Sequence, residues 1–110
     1  MAAIGVVPFG KSGRVVSAIK VDRLLVREAE RAGKSVQASI DGLTAQLAKG
    51  NMNPGTGTKH LFNGVFEARA LDGARVYFRH VEDGVEIVGK SSKENQPKVI
   101  QRLRDIYEKK

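Results

Sequence analysis

The sequence predicts an α+β domain in which two N-terminal helices precede a four-stranded antiparallel sheet and a C-terminal helix. The spacing of apolar residues changes from three or four positions to two in the middle of the chain. One Asn-Gly and two Asp-Gly pairs, at residues 63–64, 72–73 and 83–84, separate consecutive apolar runs, as in hairpins. A last stripe at helical spacing begins after Asn95 and Pro97, which are typical of a helix start.

Two helices are predicted in residues 14–49. Between Arg14 and Ala32, apolar residues recur at helical spacing and so share one face: Ala18, Val21, Leu25, Ala29 and Ala32. Gly33 ends this run, and Ser35 is a suitable N-cap for the second helix. A second apolar stripe ends before Gly50: Val36, Ile40, Leu43 and Leu47.

The second half of the chain predicts the sheet. Residues 50–58 are rich in Gly, Asn and Thr and are interpreted as a loop. The strands are placed at 59–62, 65–70, 74–81 and 85–90, which makes a meander. In the closing helix, these apolar residues form one face: Val99, Ile100, Leu103, Ile106 and Tyr107. A length of 110 residues predicts one domain, with residues 1–13 as a tail.

The composition restricts the classes of function. Nineteen Lys and Arg residues against twelve Asp and Glu residues give a formal net charge of +7. A basic surface attracts polyanions, so nucleic acid is the expected partner, and a solvated basic surface is the alternative. With no cysteine, the chain has neither disulfides nor cysteine zinc sites. No stretch has the length of a membrane span, and no signal peptide, cofactor or metal site is predicted.

One face of the predicted sheet is unusually polar. Alternation along the strands gives one apolar face, expected to pack on the helices, and a second face that carries charge. The second face holds Glu67, Arg69, Arg75, Tyr77, Arg79 and Lys90. The alternative is a solvated face with cross-strand ion pairs. Arginine forks grip phosphate, tyrosine stacks on an unpaired base, and a carboxylate can accept a ribose proton. The set therefore suggests metal-independent cleavage of RNA.

The loop before the first strand adds further candidates. Residues 55–59 could cradle a phosphate with backbone N–H groups, or serve as a hinge. Thr58 and Lys59 are expected to contact the substrate, and His60 is a candidate proton-transfer group. His80 falls on the apolar face and is interpreted as structural. Lysine and arginine residues of the last helix are expected to be solvated: Lys98, Arg102 and Arg104.

Four segments carry a resemblance to known toxins. The segments 64–69 (GVFEAR), 73–79 (GARVYFR) and 85–93 (VEIVGKSSK), followed by a helix, resemble the RelE/ParE/HigB-like toxins of the barnase–EndoU–colicin–RelE (BECR) group. The helical pair and segment 51–59 (NMNPGTGTK) resemble C-terminal toxin modules of contact-dependent inhibition (CdiA) and other polymorphic toxins. The RelE-like pattern covers about half of the chain.

The resemblance implies an endoribonuclease toxin that cuts tRNA or ribosome-associated mRNA. It also implies an acidic immunity or antitoxin protein, delivery into a target-cell cytoplasm as part of a larger secreted protein, and a host activator. Arg75 matches the arginine that binds the scissile phosphate, and Arg69 matches the arginine ending the second-strand motif. Lys90 and Lys93 fall in the basic segment before the last helix. Val65 and Glu67 stand where RelE has a lysine pair.

The expected roles divide into two groups. The catalytic candidates are Arg75, Glu67, Lys59, His60 and Lys90. The substrate-binding candidates are Thr58, Arg69, Tyr77, Arg79 and Lys93. Two other functions remain open: a non-catalytic, ParE-like inhibitor of a protein such as gyrase, and a plain RNA-binding module.

Overall fold

The computed structural model describes residues 14–108, so the predicted tail at 1–13 lies outside the described residues. The strands are β1 (Arg14–Ser17), β2 (Gly57–Phe62), β3 (Val65–Arg69), β4 (Arg75–Val81) and β5 (Gly84–Ser91). The helices are a 3₁₀ turn (Ile19–Val21), α1 (Arg23–Ala48), α2 (Gln96–Leu103) and a terminal π-helical turn (Arg104–Glu108). No helix among these residues is long and apolar enough to cross a membrane.

The sheet has five strands in the order β1-β5-β4-β3-β2 and is mixed. The four strands from β2 to β5 pair antiparallel with their chain neighbours. β1 pairs with β5 in parallel and forms one edge. The predicted four-stranded antiparallel sheet behind two helices is therefore wrong, because the first of those helices begins as a strand.

The sequence before α1 is extended because two properties favour a strand there. Val15 and Val16 are β-branched and fit a pleated surface better than a helix. β5 offers an open edge, on which Arg14 pairs with Gly84. A Cβ atom on Gly84 would lie 1.9 Å from the Arg14 carbonyl oxygen, so the absence of a side chain permits this close pairing. Helical periodicity alone does not detect such an edge.

The two predicted helices form one continuous, kinked helix. Gly33 and Ser35 lie inside α1, and the kink falls at Val36, whose backbone is non-helical (φ −132°, ψ 27°). The Ser35 hydroxyl donates to the Ala32 carbonyl oxygen at 3.4 Å and is not an N-cap. The buried apolar stripe continues through the kink from Leu25 onwards. This shared burial keeps both halves in one helix.

Asp22 begins α1, a role that the sequence analysis missed. Its carboxylate accepts a hydrogen bond from the Leu25 amide at 3.1 Å, as an N-cap does. The same carboxylate accepts from Arg102 Nε at 2.8 Å, which ties the start of α1 to α2. Arg102 is therefore an ion-pair partner and not the solvated residue expected. The Arg102 hydrogen bond, opposed by burial, lowers the pKa of Asp22 below its usual range.

We expect Asp22→Ala to lower the free energy of unfolding by about 2 kcal/mol, since it removes a helix cap and the partner of Arg102. Asp22→Asn is the matched control, because asparagine caps helices equally well but carries no charge. Urea denaturation of both variants measures the difference. Equal stability of Asp22→Ala and the unchanged protein would contradict the assignment.

The sheet is covered on both faces. Val99 and Leu103 of α2 lie against Gly89, beside the Tyr77 ring, so α2 covers the face that carries Tyr77. The opposite face is buried too, including Val76 and Phe78. α1 contacts β5, β4 and β1, and we assign the cover of this second face to it. The polar face, which the sequence suggests as an RNA-binding or a solvated surface, is therefore buried at its centre, where Glu67 and Tyr77 lie.

The start of α2 differs in detail from the expected cap. Asn95 precedes the helix and Pro97 lies in its first turn, but the Asn95 side chain makes no capping bond. Its amide oxygen accepts from the Ser92 amide at 2.8 Å, and its amide nitrogen donates to the Glu28 carbonyl oxygen at 3.0 Å. Asn95 thus joins α2 to α1 instead of capping α2.

Candidate functional site

Glu67 is the centre of a buried polar cluster on the face that α2 covers. Its side chain is fully buried, at 0% exposure. One carboxylate oxygen accepts from Arg69 Nε at 3.0 Å. The other accepts from the Tyr77 hydroxyl at 2.9 Å and from Gln96 Nε2 at 2.8 Å. Arg75 Nε lies 3.5 Å from the same oxygen as an ion pair.

This cluster keeps the Glu67 carboxylate ionised, with hydrogen bonds to both of its oxygens. Burial by itself raises the pKa of a carboxyl group, but hydrogen bonds from Gln96, Arg69 and Tyr77 outweigh it and lower the pKa of Glu67. A carboxylate with a lowered pKa, no exposure and three donors is a poor general base. The geometry instead suits a residue that holds Arg69 and Arg75 in place.

Tyr77 is a structural member of the cluster. The ring is fully buried, and its hydroxyl also lies 2.9 Å from Ser91 Oγ. Burial and the neighbouring Glu67 raise the pKa of Tyr77, so it remains a protonated donor. The expectation that this ring stacks on an RNA base is contradicted, because α2 covers it.

The two arginines of the cluster border an open cleft at one end of the sheet. Arg69 is 41% exposed at its side chain, whereas the Arg75 side chain is 10% exposed. Arg75 donates to the Gly73 carbonyl oxygen at 3.0 Å, and its Nε has no hydrogen-bond partner. The cleft has a volume of about 520 Å³ and is lined by Thr56, Arg69, Ala70, Leu71, Asp72, Gly73, Arg75 and Lys93.

A smaller depression of about 270 Å³ adjoins this cleft, since both are lined by Thr56 and Arg69. Its remaining lining residues are Gly57, Thr58 and Lys59. We call the two together the Arg69 cleft. It brings together five of the ten predicted site residues: Thr58, Lys59, Arg69, Arg75 and Lys93.

The Arg69 cleft is strongly cationic. Two lysines and two arginines line it, and Asp72 is its one acidic lining residue. Asp72 accepts from the Ser39 hydroxyl and from the Ala74 amide at 3.2 Å. These bonds lower the pKa of Asp72 and occupy its oxygens. Glu67 beneath the cleft balances one arginine charge, so the excess positive charge faces the open space.

The loop before β2 builds one wall of the cleft. Gly55 has a φ of +66°, and a Cβ atom there would lie 2.0 Å from the Arg69 carbonyl oxygen. The Thr56 amide donates to that same oxygen at 2.8 Å, and the Thr58 amide donates to Asn53 Oδ1 at 2.6 Å. The Gly57 amide donates to the Pro54 carbonyl oxygen at 3.2 Å.

This pattern overturns the phosphate-cradle interpretation of residues 55–59, because the amides of residues 56–58 already have partners. The loop instead anchors its wall to the backbone of Arg69. The Thr58 hydroxyl is different, since it is buried without a hydrogen-bond partner. Thr58 pairs with Ala68, so its side chain lies on the sheet face opposite to Arg69 and its hydroxyl is not presented to the open cleft.

Lys90 does not join the Arg69 cluster. The register of β4 and β5 shifts beside Val88, so that Tyr77 pairs with Gly89 and Lys90 pairs with Val76. Directly paired residues share a face, and Val76 lies opposite to Tyr77. A bulge of one residue thus moves Lys90 to the other side of the sheet, contrary to the strict alternation assumed from sequence.

His60 and Arg79 also lie away from the cleft. His60 pairs with Phe66 on the opposite face, and its Nε2 accepts the Gly64 amide at 3.2 Å, which closes the β2–β3 hairpin. His80 packs edge-on to Phe66 at 5.1 Å. Arg79 donates to Glu86 at 3.1 Å and lies over the Tyr107 ring. The structure therefore gives His60 and Arg79 local structural contacts.

Sequence reasoning missed several partners in this site. Gln96 and Ser91 complete the Glu67–Tyr77 cluster, and Thr56 joins both parts of the cleft. Nothing in their sequence positions signals these contacts, which bring together residues far apart in the chain. The Asp72-Gly73 pair indicates a turn in the sequence, and the same hairpin also places Asp72 close to Arg75.

Comparison of the chain with protein-family models, curated proteins and solved structures finds no significant match. The chemistry open to this chain is therefore inferred from the Arg69 cleft itself. Two arginine forks and two lysines around an open cleft form an arrangement suited to a phosphodiester.

Proposed function

We propose that the protein is a metal-independent endoribonuclease toxin that binds and cuts RNA, with tRNA as the favoured substrate. The observation that supports the proposal is the cationic Arg69 cleft, whose arginines are held by a buried carboxylate. We further propose an acidic immunity protein as its inhibitor and action in a target-cell cytoplasm after delivery within a larger secreted protein. The RelE-like segments contribute Arg69, Arg75 and Lys93 to this cleft.

In the proposed reaction, the cleft holds the scissile phosphate between Arg69 and Arg75. The ribose 2′-oxygen attacks the adjacent phosphorus and loses its proton to water. The bond from phosphorus to the 5′-oxygen breaks, and that oxygen takes a proton from water. The products are a 2′,3′-cyclic phosphate and a 5′-hydroxyl. Cations at the cleft stabilise the negative charge that builds up on the phosphoryl oxygens.

The roles of the predicted residues change accordingly. Arg69, Arg75, Lys59 and Lys93 are proposed to contact phosphate, and no substrate contact is proposed for the buried Thr58 hydroxyl. Glu67 is a positioning residue for the two arginines and does not accept the ribose proton.

A second candidate is RNA binding without cleavage. The observation that favours it is the state of the acid–base groups among residues 14–108. Glu67 and Asp72 are hydrogen-bonded, and His60 and His80 lie on the opposite face of the sheet. Without a positioned base, cleavage would depend on charge stabilisation alone. A cleavage assay on RNA distinguishes the two candidates.

Total bacterial RNA is incubated with the purified protein in EDTA and resolved on a denaturing gel. The ribonuclease proposal predicts discrete fragments, of which the downstream products carry 5′-hydroxyl ends that polynucleotide kinase labels directly. Mapping these ends identifies the RNA. Intact RNA that the folded protein nevertheless binds would contradict cleavage and leave the binding module as the function.

A further inference from the structure

The exposed side of α1 carries a row of basic residues that the Arg69 cleft does not include. Arg23, Arg27, Arg31 and Lys34 follow one another at intervals of four, four and three residues, which places them along one helix face. All four are exposed. The row spans about 16 Å along the helix axis. We call it the α1 basic stripe.

The stripe is not explained by ion pairs within the described chain. Among the ion pairs of residues 14–108, none involves Arg23, Arg27 or Lys34. Arg31 lies 3.6 Å from Glu28, which is also 3.8 Å from Lys98. Arg23, Arg27 and Arg31 are like charges four residues apart, which costs α1 stability. The exposed Glu30, three residues after Arg27 and four before Lys34, offsets part of this cost. Such a cost is consistent with a role in binding.

The chemistry of the stripe fits a phosphate backbone better than a protein partner. Protein interfaces usually contain a central aromatic or large apolar anchor. The exposed large apolar residues of the described chain are Val16, Val21, Leu71 and Val81, and none lies on α1. Arginine forks suit phosphate, and successive stripe residues rise by about 6 Å per four residues. This spacing allows several phosphates of one strand to be contacted together.

The structure also relates the stripe to the Arg69 cleft. The Ser39 hydroxyl of α1 donates to Asp72, which lines the cleft. Lys34 precedes Ser39 by five residues, or about 8 Å of helix, and Arg23 precedes it by about 24 Å. A ligand that contacts both the Arg23 end of the stripe and the cleft must therefore extend over about 24 Å along α1.

We propose that the α1 basic stripe binds the backbone of a structured RNA whose scissile segment occupies the Arg69 cleft. This inference depends on the proposed function for the identity of the ligand. It narrows the substrate class to folded RNA with an extended backbone, in contrast to short single strands. In this proposal the Arg69 cleft binds the scissile phosphodiester, and the α1 basic stripe strengthens binding of longer, folded RNA.

The test compares Arg23→Gln/Arg27→Gln/Lys34→Gln with Arg14→Gln/Lys49→Gln/Arg104→Gln, which removes the same charge from exposed positions outside both surfaces. Two 2′-O-methylated probes, an RNA hairpin and a tetranucleotide, bind without being cut because the attacking hydroxyl is blocked. Fluorescence anisotropy at several salt concentrations gives Kd for each. Thermal melting establishes that both variants are folded.

The stripe variant is expected to bind the hairpin at least about tenfold more weakly, with a salt slope reduced by about 2 to 3. Its affinity for the tetranucleotide is expected to be unchanged, and the control variant is expected to stay within about threefold for both probes. Equal hairpin affinity in the stripe variant and the unchanged protein overturns the inference and points to an acidic protein as the ligand of the stripe.

The cleavage and binding experiments together distinguish failure of the ribonuclease proposal from failure of the stripe proposal. If the unchanged protein leaves total RNA intact while the stripe variant still loses hairpin affinity, the nuclease proposal fails and the RNA-binding stripe stands. If the unchanged protein cuts RNA while the stripe variant binds the hairpin normally, only the stripe proposal fails.

Discussion

Replacement of Arg69 by alanine is expected to lower kcat/KM for RNA cleavage by about 100-fold or more, as for other losses of a preorganised charge stabiliser. Thr56 and Arg69 line both parts of the cleft, and of these two residues Arg69 is the one that carries a charge. Its guanidinium is held by Glu67 and so needs no reorganisation when the phosphate charge develops. The rate is measured on tRNA under single-turnover conditions in EDTA.

Arg79→Ala is the matched control, because Arg79 belongs to the same sheet face but pairs with Glu86 outside the cleft. Its cleavage rate is expected to remain within about threefold of the unchanged protein. Arg69→Lys is expected to recover only part of the activity, since an ammonium group lacks the bidentate fork. Full activity of Arg69→Ala would remove Arg69 from the reaction.

The largest effect on stability is expected from Glu67→Ala, which lowers the free energy of unfolding by about 3 to 5 kcal/mol. The substitution leaves buried donors of Tyr77 and Gln96, and the ion-pair partner Arg75, without their acceptor. Urea denaturation at neutral pH measures the loss. Glu86→Ala, which removes the partly buried partner of the more exposed Arg79, is the comparison and is expected to cost about 1 kcal/mol or less.

The pH dependence of stability gives a second measure of the same carboxylate. Because the pKa of Glu67 is lowered in the folded state, its contribution is present above its ordinary pKa. That contribution is lost as the pH falls through the folded-state pKa. Glu67→Gln should therefore show a flatter decline of stability in acid than the unchanged protein. Parallel declines would show that Glu67 is not the stabilising ionised group.

The hairpin pairing of the four strands from β2 to β5 was predictable because its signals are local, although the five-stranded mixed sheet was not. An Asn-Gly or Asp-Gly pair favours a tight hairpin whatever surrounds it, and the four strands from β2 to β5 lie between such pairs. The Arg69 and Arg75 pairing follows from that hairpin register. On β2, Lys59 pairs with Glu67, so its place beside this cluster was also within reach of sequence reasoning, whereas Thr58 pairs with Ala68.

The errors share a physical origin in contacts between distant segments. Strand β1 forms because β5 has an open edge and Gly84 admits a neighbour there. The kink at Val36 stays within one helix because residues on both sides bury the same stripe. Lys90 changes sides because of a single bulged residue, which alternation cannot reveal.

The sequence by itself determined the basic charge, the hairpin turns and the set of arginines on one strand face, since these depend on composition and near neighbours. Only the tertiary structure determined which residues of that face are buried and which line the cleft. α2, whose residues follow β5, packs over Tyr77 and turns Glu67 from an exposed base into a buried support for Arg69 and Arg75. The cost of burying a charge then demands partners, and those partners orient the arginines at the cleft.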